Sequence, residues 1–261
     1  TVDMHIRGVG AIAPGYKADM VLLEDLKDFK VKQVISRFGK PYTGEEQIPS
    51  PILPPQVFNS VRLPEISKYD LALRCHVSAP VIKMIPHQLV TELVYRDVER
   101  DENGCFIPSE GMVKLAVIER HHATGSMAVG ILEGLGIKHG AVASTVAHDS
   151  HNLVVAGDND EDMLMAIESL RDCGGGYSVV SRGVVLARLP LPIAGLMTAA
   201  PVNDVLEIQQ ALLDALYSLG AKRDSDPLIA LSFMALPVIP AVKLTDEGLF
   251  DAVNFKFIKY N

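Results

Sequence analysis

Histidines and polar neighbours gather in one stretch of this chain. Four of the eight histidines lie in two short segments, HHATG and HDSHN. Apolar runs adjoin both segments: MVKLAVIE precedes the first, AVASTVA precedes the second, and NLVVAG overlaps the end of the second. Such runs predict buried strands, and polar residues at the ends of strands are where chemistry is commonly displayed. The candidate site residues are His121, His122, His148, Asp149, His151 and Asn152.

The HDSHN segment admits three interpretations. As a β-turn it would bring the Cα atoms of His148 and His151 within about 7 Å of each other. Histidine titrates near neutrality, which favours acid–base work or substrate contact. The same two histidines with Asp149 could instead ligate a metal ion. In a purely structural turn, Asp149 and Asn152 would bond to the backbone. We predict a site-facing turn without a metal, because no fourth ligand is recognisable in the sequence.

Composition limits the possible classes of protein. The chain has 261 residues, of which 48% are hydrophobic and 21% charged, so a large core is available and disorder is not expected. A net charge of −8 argues against nucleic acid or an anionic membrane as the main partner. Three cysteines without a CxxC pair predict a reduced, cytoplasmic setting. The chain begins at Thr1 rather than at methionine, so we expect a part of a longer or processed protein.

Periodicity predicts an α+β fold in three parts: strands within 1–45, a proline-rich linker at 46–60 and a larger domain at 61–261. The turn sequences ENG at 102–104 and SRG at 181–183 predict hairpins, the first leading back into GMVKLAVIER. Predicted strands lie near 70–77, 90–98, 112–119, 141–147, 153–156 and 178–188. Predicted helices lie near 126–135, 159–172 and 202–219.

Several segments resemble a known family. GAIAPGYKADMVLLED resembles the segment that follows the catalytic barrel in metal-dependent amidohydrolases, where the chain returns to a small β-sandwich. Four further segments together resemble the C-terminal region of bacterial adenine deaminases, and the resemblance covers nearly the whole chain. These segments are VIERHHATG, HGAVASTVAHDSHNLVVAGDNDEDM, LPLPIAGLM and DPLIALSFMALPVIPAVKLTDEGLFD.

The resemblance implies a chemical reaction, and it also implies that this chain lacks the metal ligands that the reaction needs. Adenine deaminases convert adenine to hypoxanthine and ammonia, with two divalent metals, manganese or iron, in a TIM barrel whose metal-bound hydroxide attacks the purine. Their ligands include a His-x-His pair, and no such pair occurs in this chain. We therefore expect the end of a β-sandwich followed by a mixed sheet-and-helix C-terminal domain, without the barrel. No metal ligand and no certain catalytic residue can be assigned here, and the chain alone should be inactive.

Two hypotheses for the function follow. In the first, the chain is part of an adenine deaminase, and its C-terminal domain helps to close or shape the site. In the second, it is a catalytically inactive binding or interaction module. Half a sandwich needs a partner to cover its apolar face and open edge, which favours the first hypothesis. The expected partners are adenine, the barrel portion of the same enzyme and further copies of the chain in a homo-oligomer.

Overall fold

The computed structural model describes residues 7–36, 40–42, 52–109, 111–223 and 226–261. The chain divides into two compact units, one up to Ile52 and the other from Leu53 onward. That division falls inside the predicted linker. Within the described residues, no helix combines the length and apolarity that crossing a membrane requires.

The first unit contains a three-stranded antiparallel sheet of β1 (Met20–Leu23), β2 (Val31–Ser36) and β3 (Lys40–Pro41). The runs ADMVLLED and VKQVIS supply the first two strands, as predicted. Val21 and Val31 remain 57% and 55% exposed, so apolar side chains of this small sheet lie at the surface. The sequence Phe38-Gly39-Lys40 is typical of a turn, and it falls mostly outside the described residues.

The second unit is built on an eight-stranded sheet in the order β11-β10-β8-β9-β6-β7-β4-β5. Neighbouring strands are antiparallel, except that β4 and β7 run parallel. The strands are β4 (Ser78–Met84), β5 (Thr91–Asp97), β6 (Met112–Ile118), β7 (Met127–Glu133), β8 (Ala141–Ser144), β9 (Leu153–Gly157), β10 (Gly176–Ser181) and β11 (Val184–Pro190).

Three helices and a small sheet cover the large sheet. They are α1 (Asp160–Cys173), α2 (Val202–Ser218), α3 (Pro227–Ser232) and the antiparallel strands β12 (Val242–Thr245), β13 (Gly248–Asp251) and β14 (Lys256–Ile258). Helix α1 buries Met163 and Ile167 against one face. Helix α2 buries Leu212 and Leu216 against the other face, together with α3 and the small sheet. The mixed α+β fold class is therefore confirmed.

The predicted helix near 159–172 is confirmed as α1, and its ends follow from the sequence. Asn159 caps the first turn, because its side chain accepts a hydrogen bond of 2.8 Å from the N–H of Asp162. Gly174 ends the helix in a left-handed conformation with φ of 77°, which glycine adopts without a steric penalty. The helix predicted at 202–219 is also confirmed, as α2.

The helix predicted near 126–135 is wrong, because this segment is strand β7. Strand β7 lies between β6 and β4, and its side chains join two different core clusters, Leu132 the one that contains Leu212 of α2 and Ile131 another. A strand covered on both faces has a continuous apolar run, and periodicity does not separate such a run from a buried helix.

The strand predicted near 70–77 is also wrong. This segment makes a single isolated bridge, between Arg74 and Cys105, and the regular strand begins only at Ser78. The alternation that suggested a strand is real, because Leu71, Leu73 and Cys75 are buried while the residues between them are exposed. Alternate burial therefore reports an extended segment on the core, whether or not that segment joins a ladder.

The two predicted hairpins have different outcomes. The SRG turn joins β10 to β11 in an antiparallel pair, as predicted. The ENG segment does form a turn, in which the Asp101 side chain accepts hydrogen bonds from the N–H groups of Asn103 and Cys105. The strands on either side of it, however, are not neighbours. Among the described strands, β5 lies at the edge of the sheet and pairs only with β4, whereas β6 is central.

Candidate functional site

Both polar segments lie at the same end of the eight-stranded sheet. Ile118, the last residue of β6, is paired with Met127 at the start of β7 and with Leu153 at the start of β9. Ser144, the last residue of β8, is paired with Val154. The loops after β6 and β8 therefore emerge side by side. We call this end of the sheet the histidine end.

Glu119 shapes the HHATG loop. Its Oε1 accepts hydrogen bonds from the N–H groups of His121 (2.5 Å) and His122 (2.9 Å). Its Oε2 accepts from the N–H and hydroxyl groups of Thr124 at 3.0 and 3.1 Å. Burial alone would raise the pKa of Glu119, but these hydrogen bonds outweigh it and lower the pKa to about 2. An ionised carboxylate thus fixes the loop that carries both histidines.

The HDSHN segment forms a turn tied to its surroundings by the backbone. The N–H of His151 donates to the carbonyl of Ala147 at 2.7 Å, and the N–H of His148 donates to that of Ser232 at 3.0 Å. The ring of His148 lies 4.4 Å from the ring of Phe233 and 6.5 Å from that of His151, between centroids. The ring nitrogens of His148 make no hydrogen bond within the described part of the chain.

A side-chain bond joins the two polar segments directly. Nε2 of His121 lies 2.8 Å from the carbonyl oxygen of Ser150, and since a carbonyl only accepts, Nε2 carries the hydrogen. His122 is exposed, and its ring lies 6.5 Å from that of His121. His139 belongs elsewhere, because it precedes the start of β8 at the other end of the sheet.

Arg120 lies beneath the site and was not found from the sequence. Its side chain is 1% exposed and donates from Nε to the carbonyl of His151 at 2.5 Å and from Nη2 to that of Ala194 at 3.1 Å. No carboxylate within the described residues forms an ion pair with it. Gly195 packs against the guanidinium so closely that an added Cβ would lie 2.9 Å from Nη1. Burial lowers the pKa of Arg120, yet arginine stays charged in proteins.

Asn152 and Asp246 link the turn to the small sheet. Asn152 is 4% exposed, and its Nδ2 donates to Oδ1 of Asp246 at 3.0 Å. The hydroxyl of Ser126 donates to Oδ2 of Asp246 at 2.8 Å. These partners are separated by 94 and 120 residues along the chain, so nothing in the local sequence pointed to Asp246. The amide of Asn152 is therefore engaged within the fold, unlike the side chain of Asp149.

An open carboxylate and a small cavity lie beside the turn. Asp149 is exposed, and its side chain makes no hydrogen bond or ion pair to any other described residue. The adjacent cavity of about 230 Å³ has an apolar wall of Leu236, Pro237 and Val238, and Asp246 also lines it. A carboxylate beside an apolar wall can accept hydrogen bonds from a flat, amino-bearing ligand.

The described residues do not form a metal centre. No three histidine, cysteine, aspartate or glutamate side chains among them are grouped as metal ligands. This finding includes the ligand set considered from the sequence, which was His148, Asp149 and His151. The groups that the histidine end presents are the side chains of His148, Asp149 and His151, with the buried guanidinium of Arg120 behind them.

The fold and this site define a C-terminal domain of the adenine deaminase type. The family model for the adenine deaminase C-terminal domain matches residues 88–256. An adenine deaminase of Nitratidesulfovibrio vulgaris strain DP4 is 48% identical over 259 residues, which cover 97% of this chain and 44% of that protein. Adenine deaminase 2 of Carboxydothermus hydrogenoformans is 46% identical over 260 residues, covering 96% of this chain and 45% of that protein.

The chain thus belongs to the adenine deaminase family, as the sequence segments implied. It spans less than half the length of these curated relatives, 44% and 45%. The described residues form three separate sheets and three α-helices without a (β/α)8 barrel, in agreement with the expected C-terminal portion.

Proposed function

We propose that this chain is the C-terminal portion of an enzyme that hydrolyses adenine to hypoxanthine and ammonia, and that its histidine end faces the catalytic site. The proposal is carried by one observation: His148, Asp149 and His151 converge at one sheet end with polar groups that the fold leaves unused. Family membership supports the choice of reaction, because the relatives are named adenine deaminases.

The available groups suit contact with a purine. The His148 ring lies tilted at 38° against the Phe233 ring, and it offers a flat surface against which an aromatic base can pack. Asp149 offers an unpaired carboxylate that can accept hydrogen bonds from an exocyclic amino group. Asn152 holds the turn through Asp246, so its contribution is to position the other two residues.

The metals and the partners belong to the remainder of the enzyme in this proposal. A pair of manganese or iron ions would activate water there. The described residues of this chain provide no grouped ligands for them, so no step of the reaction is assigned to the chain through a metal. We further propose that the barrel portion, adenine and additional copies of the chain are its partners. A cytoplasmic location accords with three free cysteines.

The first test compares the chain alone with the complete enzyme. The chain, purified after loading with manganese, should release no ammonia from adenine in a coupled assay, because it lacks grouped ligands. The complete enzyme should turn over. Turnover by the chain alone, proportional to its concentration and abolished by a chelator, would contradict this division of labour. An inactive complete protein that still binds its partners would favour the interaction-module hypothesis.

The second test addresses the histidine end. In the complete enzyme, His148→Ala or Asp149→Ala should lower kcat/KM by about ten- to a thousand-fold, or about 1.4–4 kcal/mol of transition-state stabilisation. The metal content should not change. His139→Ala is the matched control, since that histidine lies at the other end of the sheet, and it should keep wild-type kinetics. If both site variants retain kcat/KM and lose only thermal stability, the cluster is structural.

A further inference from the structure

The two ring nitrogens of His151 are in different environments. Nδ1 is buried and has no hydrogen-bond partner, and Ser60 Oγ is the one other such side-chain atom among the described residues. Nε2 also makes no hydrogen bond within the described part of the chain, but it is not among the buried atoms and so reaches solvent. The ring therefore presents one nitrogen inward and the other to the outside.

The inward nitrogen decides where the hydrogen lies. A hydrogen on Nδ1 would be a buried donor without an acceptor, and buried N–H groups are rarely left unpaired. The guanidinium of Arg120, which is bonded to the carbonyl oxygen of the same residue at 2.5 Å, disfavours a further positive N–H dipole nearby. A bare Nδ1 lone pair is an unpaired acceptor, but it avoids both an orphaned N–H and a positive dipole beside the guanidinium. The hydrogen of the neutral ring then belongs on Nε2.

The surroundings also keep the ring neutral. Burial is the largest cause that lowers the pKa of His151, and the charge of Arg120 is the next. His148 and His121 lower it further, while Asp149 acts in the opposite sense. An imidazolium would in addition require a hydrogen on Nδ1, so the hydrogen-bond geometry and the charges favour the same state.

We propose that His151 is a neutral hydrogen-bond donor of the site, that its outward Nε2–H binds an unprotonated ring nitrogen of a purine, and that Arg120 positions it. The inference rests on the proposed function of the histidine end. A neutral donor matches a neutral acceptor such as a purine ring nitrogen, whereas a carboxylate is better matched by a cation. His151 thus contributes orientation and specificity, with no proton transfer.

The first measurement uses this chain alone and does not depend on activity. Nitrogen-15 NMR of histidine-labelled chain should show His151 as the Nε2–H tautomer, with a pKa below the ordinary 6.5. His151→Gln assigns the signal by its loss, and exposed His122 provides the comparison within the same spectrum. An Nδ1–H tautomer, or a pKa at or above 6.5, overturns the inference and leaves the proposed function untouched.

The second measurement uses the complete enzyme and substrate analogues in which one ring nitrogen is replaced by CH. His151→Ala should weaken adenine binding by about tenfold, the effect of one neutral hydrogen bond. His151→Gln, whose Nε2 can donate from a similar place, should restore most of it. The analogue that lacks the contacted nitrogen should bind wild type and His151→Ala equally. An equal loss for every analogue overturns the donor role. A separate outcome tests the proposed function. If His148→Ala and Asp149→Ala leave kcat/KM unchanged, the proposed function has failed.

Discussion

The two ends of the eight-stranded sheet each contain a buried cation, and the fold holds them differently. At the histidine end, Arg120 is 1% exposed and bonds to the carbonyl groups of His151 and Ala194 in two separate loops. At the opposite end, Lys243 is 0% exposed and donates to the carbonyl of Leu89 at 2.8 Å. Neither forms an ion pair with any other described residue.

The difference between the two side chains follows from their chemistry. A guanidinium has a planar fork of donors and remains charged, so Arg120 can join two loops at any pH at which the protein folds. An ammonium loses its proton when burial is costly, and burial lowers the pKa of Lys243 to about 8. The contacts of Arg120 at the histidine end therefore do not depend on its titration, whereas the charge of Lys243 at the opposite end changes with pH.

The largest expected effect comes from weakening the arginine. Arg120→Lys keeps a buried charge but cannot reach both carbonyl groups, so we expect the free energy of unfolding to fall by about 3 kcal/mol. Urea denaturation measures the loss. Hydrogen exchange should accelerate in 146–152 and 193–197, the two loops that Arg120 joins. The matched control is Arg62→Lys, because that side chain is exposed. Equal acceleration of hydrogen exchange throughout the sheet would show that Arg120 does not stabilise these two loops specifically.

Sequence reasoning found the loops of the site but not the groups that hold them. His121, His148 and Asp149 stand out because polar residues follow apolar runs. The partners of the turn come from distant positions: Asp246 lies 94 residues from Asn152 along the chain. One local feature could have pointed to Arg120: it is a charged residue that closely follows the apolar run of β6. Its burial depends on loops around residues 151 and 194, which no local pattern reveals.

The same limit explains the errors in the fold. Helices α1 and α2 were predictable because each has one apolar stripe and a polar face. Strand β7 was not, since apolar residues on both of its faces join the core and remove that contrast. Gly130 within β7 lies where an added Cβ would be 3.0 Å from the Tyr260 hydroxyl. That close approach involves the end of the chain and is visible only in three dimensions.

A smaller effect of opposite sign is expected at the other end of the sheet. Lys243→Met replaces a costly buried amine by an apolar chain, and it should stabilise the protein by about 2 kcal/mol at pH 7. Between pH 8 and pH 10.5 the unfolded state binds more protons than the folded state, so the wild type gains stability there. The advantage of the variant should therefore shrink over that window.

Urea denaturation of both proteins at several pH values measures this dependence. The control is Lys138→Met, at an exposed position. A constant difference between wild type and Lys243→Met from pH 7 to pH 11 would mean that the lysine stays charged in the folded protein. The contrast with Arg120 would then rest on geometry alone.

The smallest effect is expected for the loop in front of Arg120. Glu119→Gln removes the charge that four hydrogen bonds from the HHATG loop share, and we expect a loss of about 1 kcal/mol at pH 7. The folded-state pKa of Glu119 is about 2, below its ordinary value of 4.5, so the stabilisation is present above pH 4.5 and is lost as the pH falls towards 2. The variant should show a flatter stability profile in that window, and Glu207→Gln, at an exposed position of α2, is the matched control. Thermal unfolding from pH 2 to pH 7 measures the two profiles.

Parallel profiles for wild type and Glu119→Gln would mean that the carboxylate charge does not stabilise the loop. The stability of the histidine end would then be independent of pH in acid as well.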